Sequence, residues 1–244
     1  MATITASKDG AITRYETEAF SDVRNGAGET IQQTNSALNN AVRVFYTAGR
    51  GSPTYLITRT FMTFDTSTVT GTVSSLTLKI HGYGQNSADL RVVKSTAFGN
   101  GSNNDLITSD FTAINGLSGI NSLGKPANVA NVYTDSDITS WSTTAYNTIS
   151  LNSYAASDIQ NNNHFTIAIV EANHDFTGIA QTTSGENLRS GMNYVEANPS
   201  KRPYIEFTET ATGYSHTVAG VASGDISKVT GIATADISKV AGVE

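Results

Sequence analysis

The sequence predicts an all-β fold, namely an antiparallel, jelly-roll-type β-sandwich with one or two short helices and a C-terminal repeat appendage. Three observations lead to this prediction. Short β-branched and aromatic runs alternate with polar residues at every second position, as in strands that bury one face. Only 15% of the 244 residues are charged, against about a quarter in typical globular chains. The end of the chain repeats itself with a fixed period.

Seven segments carry the strand signal. Segment 164–170 is the most continuous apolar run, and we expect it to be a central strand buried on both faces. Two short helices are predicted, over 110–114 with Ser109 as its cap and over 153–160 with Asn152 or Ser153 as its cap. The seven predicted strands are Val42–Tyr46, Thr54–Phe64, Val73–His81, Ala88–Val93, Asn147–Leu151, His164–Val170 and Tyr204–Thr208.

Strand periodicity stops near Thr210, which sets the predicted domain organisation. Residues 1–210 form the sandwich, 211–217 a linker, and 218–244 a repeat tail for assembly or anchoring. The tail reads VAGVASGDISK, then VTGIATADISK, then VAGVE, a period of eleven residues. Each copy has too few apolar residues to offset its chain entropy alone, so we expect copies of the tail or a partner to cover them. The apolar positions are Val218, Val221, Ile226, Val229, Ile232, Ile237, Val240 and Val243.

Two conformations of the tail are compatible with this pattern. All eight apolar positions fall on one face of a helix, and an eleven-residue repeat is typical of a right-handed supercoil. The glycines oppose a continuous helix. The alternative, which we favour, has short helical turns that begin at Asp225 and Asp236 and stop at Gly231 and Gly242. Extended Val-Ala and Ile-Ala pieces lie between these turns.

Composition excludes several classes of protein. Net charge is −6 and no Lys/Arg cluster exists, which disfavours nucleic-acid binding through a basic surface. The chain has no cysteine, so disulfides and thiolate metal sites are excluded. No apolar run reaches eighteen residues, and the first fifteen residues lack the pattern of a secretory signal. We therefore expect a protein made in a cytoplasm, with no membrane partner.

Residues 59–80, RTFMTFDTSTVTGTVSSLTLKI, carry a resemblance to a known family. The segment resembles the DNRLRE-type β-sandwich, which is similar to carbohydrate-binding domains. It departs from that family at 66–70, where Leu-Ser-x-Ile-Pro is more usual, so the resemblance implies a fold and no ligand residues. Independently of the family, Asp65 is expected to form an Asx-turn. The matching positions are Arg59, Phe64, Asp65, Ser67, Gly71, Val73, Ser75, Leu76, Leu78 and Ile80.

The combination of such a sandwich with Ile-Ser-Lys-Val-x-Gly-Val repeats resembles structural proteins of tailed bacteriophages. This resemblance implies a virion localisation, with a homo-oligomer or other virion proteins as partners. Head decoration is favoured over a tail-fibre role because the chain has one domain and no long fibrous repeat.

The sequence offers no catalytic set and no cofactor site. Glu171, His174 and Asp175 lie close together in EANHDF, but adjacent residues on a strand would point to opposite faces. We expect His174 to be a loop histidine with no catalytic role. No G-x-S-x-G elbow or HExxH spacing is present. Calcium coordination by oxygen ligands is a weaker alternative. The carboxylates considered for it are Asp135, Asp137 and Glu171, or Asp105 and Asp110.

A second hypothesis is glycan recognition. Trp141 and Tyr194 are candidate glycan-stacking residues if their rings are exposed. The competing interpretation of Trp141, which we favour, places it in the core between the sheets. The polar segment 175–202 is a candidate binding loop. A hydrolase with two carboxylates in a cleft is a third and weaker hypothesis.

Overall fold

A computed structural model describes residues 1–17, 19–34, 41–49, 52–100, 104–117 and 129–210, and four residues of the tail, 228–229 and 232–233. Before the tail, the described part of the chain contains eleven strands, and all of their pairings are antiparallel. The predicted all-β sandwich is confirmed. The strands are β1 (Ala2–Thr5), β2 (Lys8–Glu16), β3 (Thr30–Gln32), β4 (Ala41–Ala48), β5 (Pro53–Asp65), β6 (Thr72–Asn86), β7 (Leu90–Lys94), β8 (Tyr146–Ser150), β9 (His164–Glu171), β10 (Asn187–Met192) and β11 (Tyr204–Thr210).

In the described residues, helical structure is limited to short elements between the strands. Helix α1 spans Phe20–Asn25 and α2 spans Ser153–Asn161. The side chain of Asn152 caps α2 by accepting the N–H groups of Tyr154 and Ala155, which confirms the predicted cap. The remaining helical turns are Ala97–Asn100, Thr108–Thr112, Asn115–Leu117, Val129–Asn131, Ala172–Phe176 and Pro199–Lys201.

Two sheets form the sandwich, and β6 belongs to both. The first sheet has the order β1-β11-β6-β8. In the second, β2 runs along one edge of β5, while β4 and then β9 occupy the other edge. Strand β3 lies outside β2, and β7 lies outside β9. Strand β10 pairs with β4 and with the end of β6, which closes the connection between the sheets.

The main core lies between the two sheets. Strand β6 contributes Leu78 and Ile80, and β9 contributes Phe165 and Ile167. The pairing of β9 with both β5 and β7 confirms that this apolar run is a central strand, and its residues from Phe165 to Glu171 are all buried.

A second core covers the outer face of the second sheet. Phe61 and Val170 point to this side, where Phe20 of α1 and the loop residues Phe111 and Phe176 pack against them. The alternation predicted for β5 accounts for this arrangement, because residues 57, 59 and 61 share one face of the strand. The sandwich is therefore extended by a third layer of helical turns.

All seven predicted strands exist, but six elements differ from prediction. Strands β1, β2 and β3 were not predicted, nor was α1. Strand β10 lies within 175–202, which we expected to be a loop. The predicted helix at 110–114 is a 3₁₀ turn over Thr108–Thr112, and Asp110, rather than Ser109, accepts the N–H of Ile107 at 3.1 Å. The predicted Asx-turn at Asp65 is confirmed by the N–H of Ser67 at 3.1 Å.

Within the described residues, no helix has the length and apolar character needed to cross a membrane.

Candidate functional site

The described part of the tail is a short antiparallel β pair at the junction of its first and second repeat copies. Lys228–Val229 pairs with Ile232–Ala233, and Val229 lies directly opposite Ile232. A continuous helix is therefore wrong for these four residues. The extended Ile-Ala piece is confirmed, whereas Lys228 and Val229 belong to a strand and not to a helical turn that runs from Asp225 to Gly231. The other predicted assembly positions lie outside the described residues, namely Val218, Val221, Ile226, Ile237, Val240 and Val243.

The two aromatic residues predicted as a glycan platform are buried. Trp141 is 6% exposed, and its Nε1 donates to the carbonyl of Gly191 at 2.9 Å. Tyr194 is fully buried, with its hydroxyl 3.2 Å from Thr60 Oγ1, and burial raises its pKa. The exposed platform is therefore wrong, because neither ring offers a face to a sugar. The competing expectation, that Trp141 lies in the core between the sheets, is confirmed.

Residues 172–176 of EANHDF form a helical turn after β9, so His174 lies outside the strands, as expected. The side chain of Glu171 stabilises this turn, because it accepts the N–H groups of Asn173, His174 and Asp175 at 2.9, 2.6 and 3.1 Å. These are the backbone donors that a helical N-terminus leaves without partners. Burial raises the pKa of Glu171, and the three N–H groups oppose that shift. Glu171 therefore shapes this loop.

Asp175 is directed into the second core, where it binds Arg59. The guanidinium donates through Nε and Nη2 to the two carboxylate oxygens at 2.8 and 2.6 Å. Both side chains are almost fully buried. Nη1 of Arg59 donates to the carbonyl of Phe111 at 2.6 Å, and the group stacks over the Phe111 ring at 4.1 Å. This bidentate pair ties β5 to the loop after β9 and has a structural role.

The carboxylates considered for calcium are not brought together. Asp105 forms an ion pair with Lys8 and Asp137 with Arg91. Asp110 and Glu171 accept backbone N–H groups, as described above. Within the described residues, no group of three or more His, Asp or Glu side chains has the arrangement of a metal site.

Asp9 is a buried acid on β2. Its Oδ2 accepts the N–H of Val195 at 2.8 Å, and its Oδ1 has no hydrogen-bond partner among the described residues. Burial, with a smaller contribution from the charge of Glu196, raises its pKa to about 8. Asp9 is therefore protonated in the folded protein at neutral pH. The sequence around Asp9 could not predict this protonated state, because the residues that bury the carboxyl group come from distant parts of the chain.

A polar cleft of about 350 Å³ lies between the end of β7, helix α2 and the start of β9. We name it the Asp158 cleft. Sequence reasoning missed it, because its walls come from separate segments with no shared motif. The residues used below are Lys94, Thr96, Tyr133, Asp158, Asn163 and His164.

The centre of this cleft is an ordered polar network. Lys94 Nζ donates to both oxygens of Asp158 at 3.0 and 2.9 Å. The hydroxyl of Tyr133 donates to Asp158 Oδ2, and burial and this contact raise the pKa of Tyr133. The network holds the three side chains in place and leaves the ion pair without net charge.

Comparison with known proteins gives no relative from which a function could be transferred. The chain matches no protein-family model and no curated protein.

Proposed function

We propose that the chain is a non-enzymatic structural protein of a bacteriophage particle. Its sandwich decorates the head, and its repeat tail anchors it by self-association or by pairing with another virion protein. The observation that carries this proposal is the β pair at the junction of the first two repeat copies. The resemblance of the repeats to those of tailed-phage structural proteins supports a location on a bacteriophage particle.

The β pair is too small to be stable alone. Two residues in each strand offer few hydrogen bonds, and an isolated two-stranded hairpin is marginal in water. Val229 lies opposite Ile232 in the backbone register, and a single cross-strand pair contributes at most about 1 kcal/mol. Additional strands from another chain would supply the missing hydrogen bonds and cover these side chains.

The spacing of this pair recurs along the tail. Val218 and Val221 in the first copy, and Val240 and Val243 in the last, are separated as Val229 and Ile232 are. Each copy thus provides the same two β-branched residues for pairing. A pair of β-branched residues that recurs in every copy suits assembly better than binding of a small molecule. Each copy can add the same contacts to one continuous interface between chains.

The full-length chain with Val229→Asp and Ile232→Asp tests the role of this pair. We expect loss of self-association, or of binding to the particle, because two charges replace the apolar pair at the interface. The matched control is Ser223→Asp with Ser227→Asp, which adds the same charge at polar positions of the tail. Analytical ultracentrifugation of the three proteins measures the effect. Equal association of both variants would contradict the assembly role of Val229 and Ile232.

Glycan recognition through Trp141 and Tyr194 is not carried forward, because both rings are buried.

A further inference from the structure

We propose that the Asp158 cleft binds a neutral, polyhydroxylated ligand of the size of a monosaccharide unit. The inference rests on the sandwich alone and does not depend on the assembly role of the tail. The volume of the cleft, about 350 Å³, falls at the lower end of the range for small-molecule sites, about 300–1,000 Å³.

The walls of the cleft are held by backbone hydrogen bonds. Thr66 anchors the connection between α2 and β9 through two hydrogen bonds. Its N–H donates to the carbonyl of Asn163 at 2.9 Å, and its hydroxyl donates to the carbonyl of Asn162 at 2.6 Å. On the opposite side, Lys94 is paired with Ile167 at the end of β7. A cleft with fixed walls loses little entropy when a ligand binds.

The charge of the cleft favours a neutral ligand. Lys94 and Asp158 neutralise one another at 2.9 Å, with side chains 33% and 22% exposed. A charged ligand would have to separate this pair or bind beside it without a counter-charge. A neutral ligand can use the groups that remain. Lys94 has three N–H donors, of which Asp158 takes two, and the Tyr133 oxygen can still accept.

The remaining polar groups match hydroxyls. Thr96 contributes a hydroxyl, Asn163 an amide and His164 an imidazole, so the lining offers both donors and acceptors. His164 Nδ1 is buried and has no partner among the described residues. Buried polar atoms are normally hydrogen-bonded, so this nitrogen is available to a ligand hydroxyl or to water. A sugar hydroxyl both donates and accepts, and so complements such a mixed lining.

Ligand-observed NMR on the full-length chain tests the inference. The probes are glucose, galactose, mannose and N-acetylglucosamine, with glucuronate and glucosamine as charged comparators, all at millimolar concentration. We expect at least one neutral sugar to bind, and Thr96→Val to weaken it about five- to tenfold through loss of one hydrogen bond. The control is Thr182→Val, on an exposed loop away from the cleft. Asn163→Ala, at an exposed position, provides a second variant if Thr96→Val does not fold.

Three results would overturn the inference. The first is the absence of binding by every neutral sugar. The second is binding that both cleft variants leave unchanged, which would place the sugar elsewhere on the molecule. The third is a preference for glucuronate or glucosamine, which would show that the ion pair does not neutralise the cleft.

Discussion

Replacing Arg59 by Met should destabilise the protein by about 3–5 kcal/mol, the usual cost of removing one partner from a buried ion pair. The substitution leaves the carboxylate of Asp175 buried, with Arg24 Nε at 3.8 Å as its nearest remaining cation. It also removes the donors to the carbonyls of Phe111 and Arg24. Urea denaturation followed by tryptophan fluorescence measures the loss, since Trp141 is buried in the folded state.

Two further variants separate this effect from a general loss of charge. Lys8→Met breaks the exposed pair with Asp105 and should cost less than about 1 kcal/mol. Adding Asp175→Leu to Arg59→Met should recover part of the stability, because no isolated charge then stays buried. A cost for Arg59→Met no larger than that for Lys8→Met would refute the structural role of the buried pair.

Replacing Asp9 by Asn should change how stability depends on pH. The pKa of Asp9 is about 8 in the folded protein against 3.8 for an ordinary aspartate. Between these values the folded state holds a proton that the unfolded state has lost. The stability contributed by this proton is fully present below about pH 4 and falls as pH rises to about 8, by at most about 1.4 kcal/mol per pH unit.

The Asn side chain does not titrate, so this loss disappears in Asp9→Asn. Between pH 4 and pH 9, the free energy of unfolding of the variant should therefore rise relative to that of the wild type by up to about 5 kcal/mol. Any fixed cost of the new amide cancels in that difference. Denaturation midpoints at the two pH values provide the measurement, with the exposed Asp22→Asn as the control. If the difference between wild type and Asp9→Asn were the same at both pH values, Asp9 would not hold a proton in the folded state.

The sequence predicts the strands well where local pattern decides them. Strand β5 is the clearest case, because its alternation correctly puts Arg59 on the same face as Ile57. The role of Arg59 could not be predicted, since its partner Asp175 is 116 residues away. Asp175 is also held in position by Glu171, whose side chain accepts the N–H groups of the turn that follows β9.

Candidate sites were harder to predict than strands. Trp141 shows why, because its surroundings in ITSWSTTAYN are polar, yet the ring is covered by distant strands. The Asp158 cleft joins Lys94, Tyr133 and His164 from separate segments, and no spacing rule links them. The tail differs, since its period is visible in the sequence. Even there, the pairing of Val229 with Ile232 depends on backbone hydrogen bonds, which cannot be predicted by counting the apolar residues on one face of a helix.

The measurement that tests the proposed assembly function most directly is the mass in solution of the full-length chain beside a version that ends at Thr217, by light scattering. The sandwich ends with β11 at Thr210, so the shorter chain retains every one of its strands. We predict an oligomer for the full-length protein and a folded monomer for residues 1–217. The same oligomeric mass for both proteins would contradict assembly through the tail.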